Sequence, residues 1–164
     1  MKKIFLLASF YLLIGALFAQ KQELAPYLKN PVLPDFKILQ KDSATWFTKA
    51  NLKSGKPVMI MLFSPDCEHC QLQTKDILKK IKELGDLQIV MTTFQSMEKM
   101  RKFHKEYHIS EYPNIHMGRD ESFFFGPFYV SRSIPFLAIY DRNRKLAKVY
   151  DGGAPVEKIS AALK

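Results

Sequence analysis

The run PVMIMLF, residues 57–63, constrains this chain most, because it leads straight through Ser64-Pro65-Asp66 into a second apolar pattern. An unbroken apolar run of this length suits a strand buried on both faces of a parallel sheet. Beyond the turn, Cys67, Cys70, Thr74, Ile77, Leu78, Ile81 and Leu84 recur at three- and four-residue steps, which is one face of a helix ended by Gly85. A buried strand, a tight turn and an amphipathic helix form the first half of a layered unit.

The rest of the chain repeats that alternation. LQIVMTTF is a second buried strand, and Ser96 caps a helix whose inner stripe is Met97, Met100, Phe103 and Tyr107. YPNIHMG holds a short strand, and DESFFFGPFYV an irregular or one-turn helical piece. PFLAIYD is a strand, DRNRK a hairpin turn, and KLAKVYD its alternating partner. Gly152-Gly153 breaks the chain before Pro155 opens a closing helix. Upstream, DFKIL reads as a short strand. DSATWFTKANL reads as a helix with an Asp or Ser cap and with Trp46, Phe47 and Ala50 at helical spacing. The order indicates one α/β domain over residues 34–164, preceded by an irregular, proline-punctuated linker over residues 20–33.

The first nineteen residues form a different unit. Met1-Lys2-Lys3 is a basic start, Ile4 to Phe18 is almost wholly apolar, and Ala19 precedes a polar stretch. This is the layout of a secretory signal peptide. Leu17 is larger than the usual residue at its place before the cut, so an uncleaved anchor is the alternative. The leader directs the body across the inner membrane, with the periplasm as its expected location. That compartment favours disulfides.

The formal net charge is +9, with basic residues spread along KKIK, KMRKFHK and RNRK. Solvated helix faces and turns account for this spread. The sharper reading is association with an anionic membrane surface. No nucleic-acid-binding motif accompanies the charge.

Only two cysteines occur, Cys67 and Cys70. A structural staple across so short a loop yields little chain-entropy gain. A structural zinc site needs four ligands, so histidines from His69, His104, His108 and His116 would have to join the pair. His69 does not easily ligate beside both cysteines in one turn. The third reading is redox chemistry. Cys67 sits at or beside a helix start capped by Ser64 or Asp66, where free N–H groups and the helix dipole favour a thiolate. Cys70 follows one turn later, and is expected to be more buried.

With these elements in place, KPVMIMLFSPDCEHC resembles the strand–turn–helix of the thioredoxin-like superfamily, and SRSIPFLAIYD its second hallmark, a cis-proline before a strand. PDFKIL, and the long interval from Cys67 to Pro135, resemble the exported TlpA/ResA-like branch. The resemblance implies a thioredoxin fold: a central mixed sheet flanked by helices, with an extra strand and helix before the cis-proline. It implies a thiol–disulfide oxidoreductase that needs no external cofactor or metal, with Cys67 and Cys70 catalytic. It places a cis Ile134–Pro135 bond against the cysteines, where Ile134 and Pro135 bind substrate. Its partners are protein thiols or disulfides and a redox-recycling protein.

Departures from the family pattern leave the direction of exchange open. Asp66 stands where Trp is common, and Met61 where many members carry a buried acid. Glu68 is a substitute proton handler. His69 resembles the thiolate-stabilising residue of oxidising members and isomerases, whereas the architecture resembles reductases. A metal-binding module using Cys67, Cys70 and a His remains the reading from another class. A peroxidase lacks its usual Thr-x-x-Cys context. FFFGPFY, residues 123–129, reads either as core packing or as an exposed apolar patch that docks substrate.

Overall fold

The computed structural model describes residues 24–163, so the leader expected over residues 1–19 lies outside it. One seven-stranded sheet organises the chain. Its strands are β1 (Lys37–Leu39), β2 (Trp46–Thr48), β3 (Val58–Leu62), β4 (Gln88–Thr93), β5 (Ile115–Arg119), β6 (Phe136–Tyr140) and β7 (Leu146–Asp151). Their spatial order is β2-β1-β5-β4-β3-β6-β7. β3 runs parallel to β4, and β4 to β5, while β6 and β7 are antiparallel additions on one side and β1 and β2 on the other. The helices are α1 (Pro26–Lys29), α2 (Glu68–Lys79), α3 (Met97–Glu106), α4 (Phe125–Tyr129) and α5 (Val156–Ala161).

The apolar runs now have a physical explanation. Every residue of β3, β4 and β6 is buried. Met59, Met61, Ile89, Met91, Leu137 and Ile139 pack on one face, against Ile77 of α2, Phe103 of α3 and Ile159 of α5. Val58, Ile60, Leu62, Val90, Phe136 and Ala138 pack on the other, against Phe125 and Tyr129 of α4. Alternate residues of one strand therefore feed two cores, which favours a continuous apolar run, complete in β3 and interrupted in β4 only at its ends by Gln88, Thr92 and Thr93. β7, at the edge, reverts to mixed exposure.

The interval between Cys67 and Pro135 holds β4, α3, β5 and α4, so the extra strand and helix are present. β5 contains Gly118, where a Cβ would lie 2.8 Å from Ile38 of β1. Glycine here lets the β1–β2 hairpin close against the sheet.

Two local expectations differ from the structure. The helix expected over DSATWFTKANL is instead β2 followed by a 3₁₀ turn, Lys49–Asn51. Asp42 does not cap a helix: its carboxylate accepts the N–H groups of Ala44 and Thr45, at 3.0 and 2.9 Å, and closes a hairpin turn between β1 and β2. β-Branched and aromatic residues at 46–48 then favour the strand, with only Phe47 turned inward. The segment read as an irregular linker holds the helical turn α1 and a bridge from Val32 to Lys145. Leu33 at its end is fully buried. Proline at the first helical position starts α1 without losing an intrahelical bond, and Tyr27 packs 5.7 Å from Tyr129.

Candidate active site

The cysteines lie where β3 gives way to α2. The Cys67 N–H donates to the Ser64 carbonyl at 3.1 Å, closing the turn. Ser64 and Asp66 were the expected caps, but Cys67 itself takes the N-cap position: its extended backbone precedes the helix, and its Sγ accepts the Cys70 N–H at 3.4 Å. Sulfur is a weak acceptor when protonated and a strong one as a thiolate. The contact places Cys67 Sγ at the open N-terminal end of α2. Both cysteines are free thiols. Cys67 is half-buried and Cys70 fully buried.

Cys70 faces the core that contains Met61, Ile77 and Leu137. Burial, and secondarily the neighbouring Cys67, push its thiol up to about 12. Met61, where a buried acid was one family option, offers no carboxylate to accept the Cys70 proton.

The second wall is the loop before β6. The Ile134–Pro135 bond is cis, and the Cys67 Sγ–H donates to the Ile134 carbonyl at 3.8 Å. Asp151 at the end of β7 accepts the N–H groups of Ser133 and Arg132, at 2.8 and 3.3 Å. The Gly152 N–H donates to the Pro135 carbonyl at 3.1 Å. Gln73, buried in α2, accepts the Ala154 N–H at 2.8 Å. Gly153, at φ +90°, fits only because it has no Cβ: one would lie 2.7 Å from Gln73 Oε1 and 3.1 Å from Pro135.

The fold thus brings Cys67, Cys70, Ile134 and Pro135 together. Asp66 is exposed and pairs with Lys99 of α3 at 2.6 Å. Glu68 and His69 are exposed on the first turn of α2. Among the described residues, no three His, Cys, Asp or Glu side chains form a group able to hold a metal ion. His116 instead stacks on Phe47 at 4.1 Å.

A protein-family model described as "AhpC/TSA family" matches residues 30–160, from before β1 into α5. The chain belongs to the AhpC/TSA family. Family membership and the juxtaposed cysteine pair make it a thiol–disulfide oxidoreductase. No curated protein matches it in sequence.

Solved structures share the thioredoxin-like fold of this AhpC/TSA-family chain. A putative electron transport protein from Aquifex aeolicus VF5 is 21% identical, with 81% of this chain and 94% of that chain covered and a TM-score of 0.66. A secreted Mycobacterium tuberculosis disulfide oxidoreductase, described as homologous to E. coli DsbE, is 16% identical over 77% and 92%, with a TM-score of 0.62. An exposed lipoprotein thioredoxin from Streptococcus pneumoniae is 23% identical over 79% and 100%, with a TM-score of 0.59.

Sequence reasoning missed Gln73 and Asp151 as braces of the proline loop. Gln73 carried a usable signal, a polar residue adjoining Cys70, Thr74 and Ile77 on the inner side of α2. Asp151 carried a weaker one, its place just before Gly152-Gly153.

Proposed function

We propose that the protein is an exported thiol–disulfide oxidoreductase that reduces protein disulfides. The observation that carries this reading is the asymmetry of the pair. Cys67 is accessible, held at a helix N-terminus beside the Ile134 carbonyl, whereas Cys70 is sealed in the core.

In the proposed cycle, the Cys67 thiolate attacks one sulfur of a substrate disulfide. A Cys67–substrate bond forms, the substrate S–S bond breaks, and the departing substrate thiolate takes a proton from water. Cys70 then loses its proton and attacks Cys67 Sγ. The Cys67–Cys70 disulfide forms and the second substrate thiolate leaves and is protonated. Two electrons pass to the substrate, and a dithiol protein partner must return them. The backbone of Ile134, beside Cys67, and the adjoining Pro135 line up the substrate segment in this cycle. Glu68 and His69, exposed on the first turn of α2, are the residues assigned to modulate proton movement in this reading.

This assignment sets a pH dependence. With Cys70 pushed up by burial, almost all of it is protonated at neutral pH. Raising the pH by one unit below that value increases its thiolate fraction about tenfold. Decay of a preformed Cys67–substrate disulfide should therefore accelerate about tenfold between pH 7 and pH 8. Stopped-flow release of a labelled substrate measures it; a flat profile would remove Cys70 as the resolving thiol.

A second reading, oxidase or isomerase, is favoured by His69 directly before Cys70. The reduction potential of the pair separates the two. A reductase should lie near the roughly −270 mV of strong dithiol reductants, and an oxidant near roughly −120 mV. Equilibration with glutathione buffers gives the value, and one at the oxidising end would reverse the proposed direction.

Export rests on the basic-apolar-small leader over residues 1–19. Among the described residues no helix is long and apolar enough to cross a membrane. Intact mass of the protein recovered outside the cytoplasm should lack residues 1–19; a mass retaining them would indicate an anchored form.

A further inference from the structure

We propose that a polar cavity at the amino-terminal ends of β3, β4 and β5 binds a phosphate-type dianion, held by Lys53, Lys56 and His116. The site lies at the pole of the sheet opposite the cysteines: Cys67 follows the carboxyl end of β3, whereas Lys53 and Lys56 precede its first residue. The inference goes beyond the thiol-exchange reading and stands or falls without it.

The cavity has a volume of about 340 Å³. Three parallel strands start beside it, and the segments leading into them form its walls. Side-chain bonds fix those walls. Gln88, only 4% exposed, clasps the Lys53 backbone from both sides. Its Oε1 accepts the Lys53 N–H at 2.7 Å, and its Nε2 donates to the Lys53 carbonyl at 3.0 Å. Arg144 donates to the same carbonyl at 2.7 Å. Asn114 donates to the Leu87 carbonyl at 2.9 Å and so ties the approach to β5 onto the approach to β4. A cavity held in this way binds a ligand without first ordering its own loops.

Charge decides what it binds. Asp86 is the only acid in the lining, and Arg142 already holds it through both terminal nitrogens, at 3.0 and 3.1 Å. Among the described residues, Lys53 and Lys56 have no carboxylate within ion-pair distance. Arg144, behind the Lys53 carbonyl, has none either, and its Nη1 is buried without a hydrogen-bond partner. Two ammoniums and two guanidiniums are thus gathered around one carboxylate. A concave site with such an excess concentrates anions.

The remaining lining supplies neutral donors. His116 stacks on Phe47 at 4.1 Å, which fixes its ring plane, and neither ring nitrogen has a partner among the described residues. Burial, and secondarily the Lys53 ammonium, hold this imidazole below its ordinary value. It is therefore neutral at pH 7 and keeps one ring N–H to donate. Asn51 Oδ1 accepts the Thr48 N–H and hydroxyl at 2.7 and 2.9 Å, so its amide nitrogen is left for a ligand. Two ammoniums, an imidazole N–H and an amide N–H line one space. A tetrahedral dianion uses several such donors and two charges together, whereas chloride matches only part of the set. Free phosphate and a small phosphate monoester share this chemistry.

The test follows the His116 ring signals by NMR at pH 7 while sodium phosphate or glycerol 3-phosphate is added, with sodium chloride holding the ionic strength constant. The His116→Phe protein assigns the signals. Wild type should show a saturable shift with a Kd of about 1 mM for at least one probe, and the tighter probe tells free ion from ester. Lys53→Gln/Lys56→Gln should weaken binding at least about tenfold, the loss of two charge-assisted contacts. Lys75→Gln/Lys148→Gln removes the same charge from α2 and β7 and should bind as wild type does. Thermal melts show whether each variant is folded, and the probe should raise the melting temperature of wild type but not of Lys53→Gln/Lys56→Gln. The inference is overturned if neither probe binds more tightly than about 10 mM, or if binding leaves His116 unmoved. It is also overturned if the two double variants lose affinity equally, because overall charge rather than this cavity would then be responsible.

Discussion

Cys67→Ala is expected to abolish disulfide exchange while leaving a folded protein. Reduction of a protein disulfide by excess dithiol should slow at least about a thousandfold relative to wild type, approaching the rate without enzyme. The reason is accessibility: Cys70, the only other thiol, is fully buried and its thiol is pushed up to about 12. It offers few thiolates and no direct path to a protein substrate. Structure survives because Cys67 supplies only a weak cap, one N–H to Sγ contact at 3.4 Å. Losing a cap costs about 1 kcal/mol, which a domain with several kcal/mol of stability absorbs. Turnover and a thermal melt measured together decide the matter. A variant retaining a tenth of wild-type activity would place the attacking group elsewhere.

Gly118→Val strikes the fold rather than the chemistry. A Cβ at 118 would approach three atoms of Ile38 at 2.8 to 2.9 Å. Ile38 is fully buried and belongs to β1, which pairs with β5 only at Leu39 opposite Arg119. Neither side can yield within the packed sheet. Valine adds two methyl groups to the same space, so the β1–β2 hairpin must lift or the sheet must bend. Overpacking of this severity costs about 3 kcal/mol, or a melting-temperature drop of roughly 10 °C for a domain of this size. Calorimetry on wild type and variant checks it. A shift under about 2 °C would mean that the hairpin is loosely attached.

The central layers were legible because their signal is redundant. Each residue of β3, β4 and β6 is buried, so the apolar runs announce strands regardless of register. Ser96, Met100, Phe103 and Tyr107 gave α3 for a similar reason, since cap and stripe agree. The hairpin at Asp42 was illegible because an Asp before Trp46, Phe47 and Ala50 suits a helix cap as well as a turn. The decision belongs to Ile38 pairing with Phe47, a tertiary contact that no local window contains. Likewise, three prolines in residues 20–34 suggest irregular chain, but the burial of Leu33 depends on sheet residues that lie far away in sequence.

At the site, the two cysteines and Ile134–Pro135 could be named from spacing and resemblance. The identity of the cap could not, because Ser64, Asp66 and Cys67 all suit the role by residue type. Gln73 and Asp151 were hidden for another reason: each acts on backbone N–H groups remote in sequence.

Covalent trapping tests the central claim most directly. Purified Cys70→Ala and Cys67→Ala proteins are each mixed with a disulfide-containing protein, quenched with acid and weighed intact by mass spectrometry. The account predicts a stable one-to-one adduct on Cys70→Ala, because Cys67 attacks and no second thiol releases it. It predicts no adduct on Cys67→Ala over the same period. Equal adducts on both proteins, or none on either, would contradict the assignment of Cys67 as the attacking thiol and Cys70 as its resolving partner.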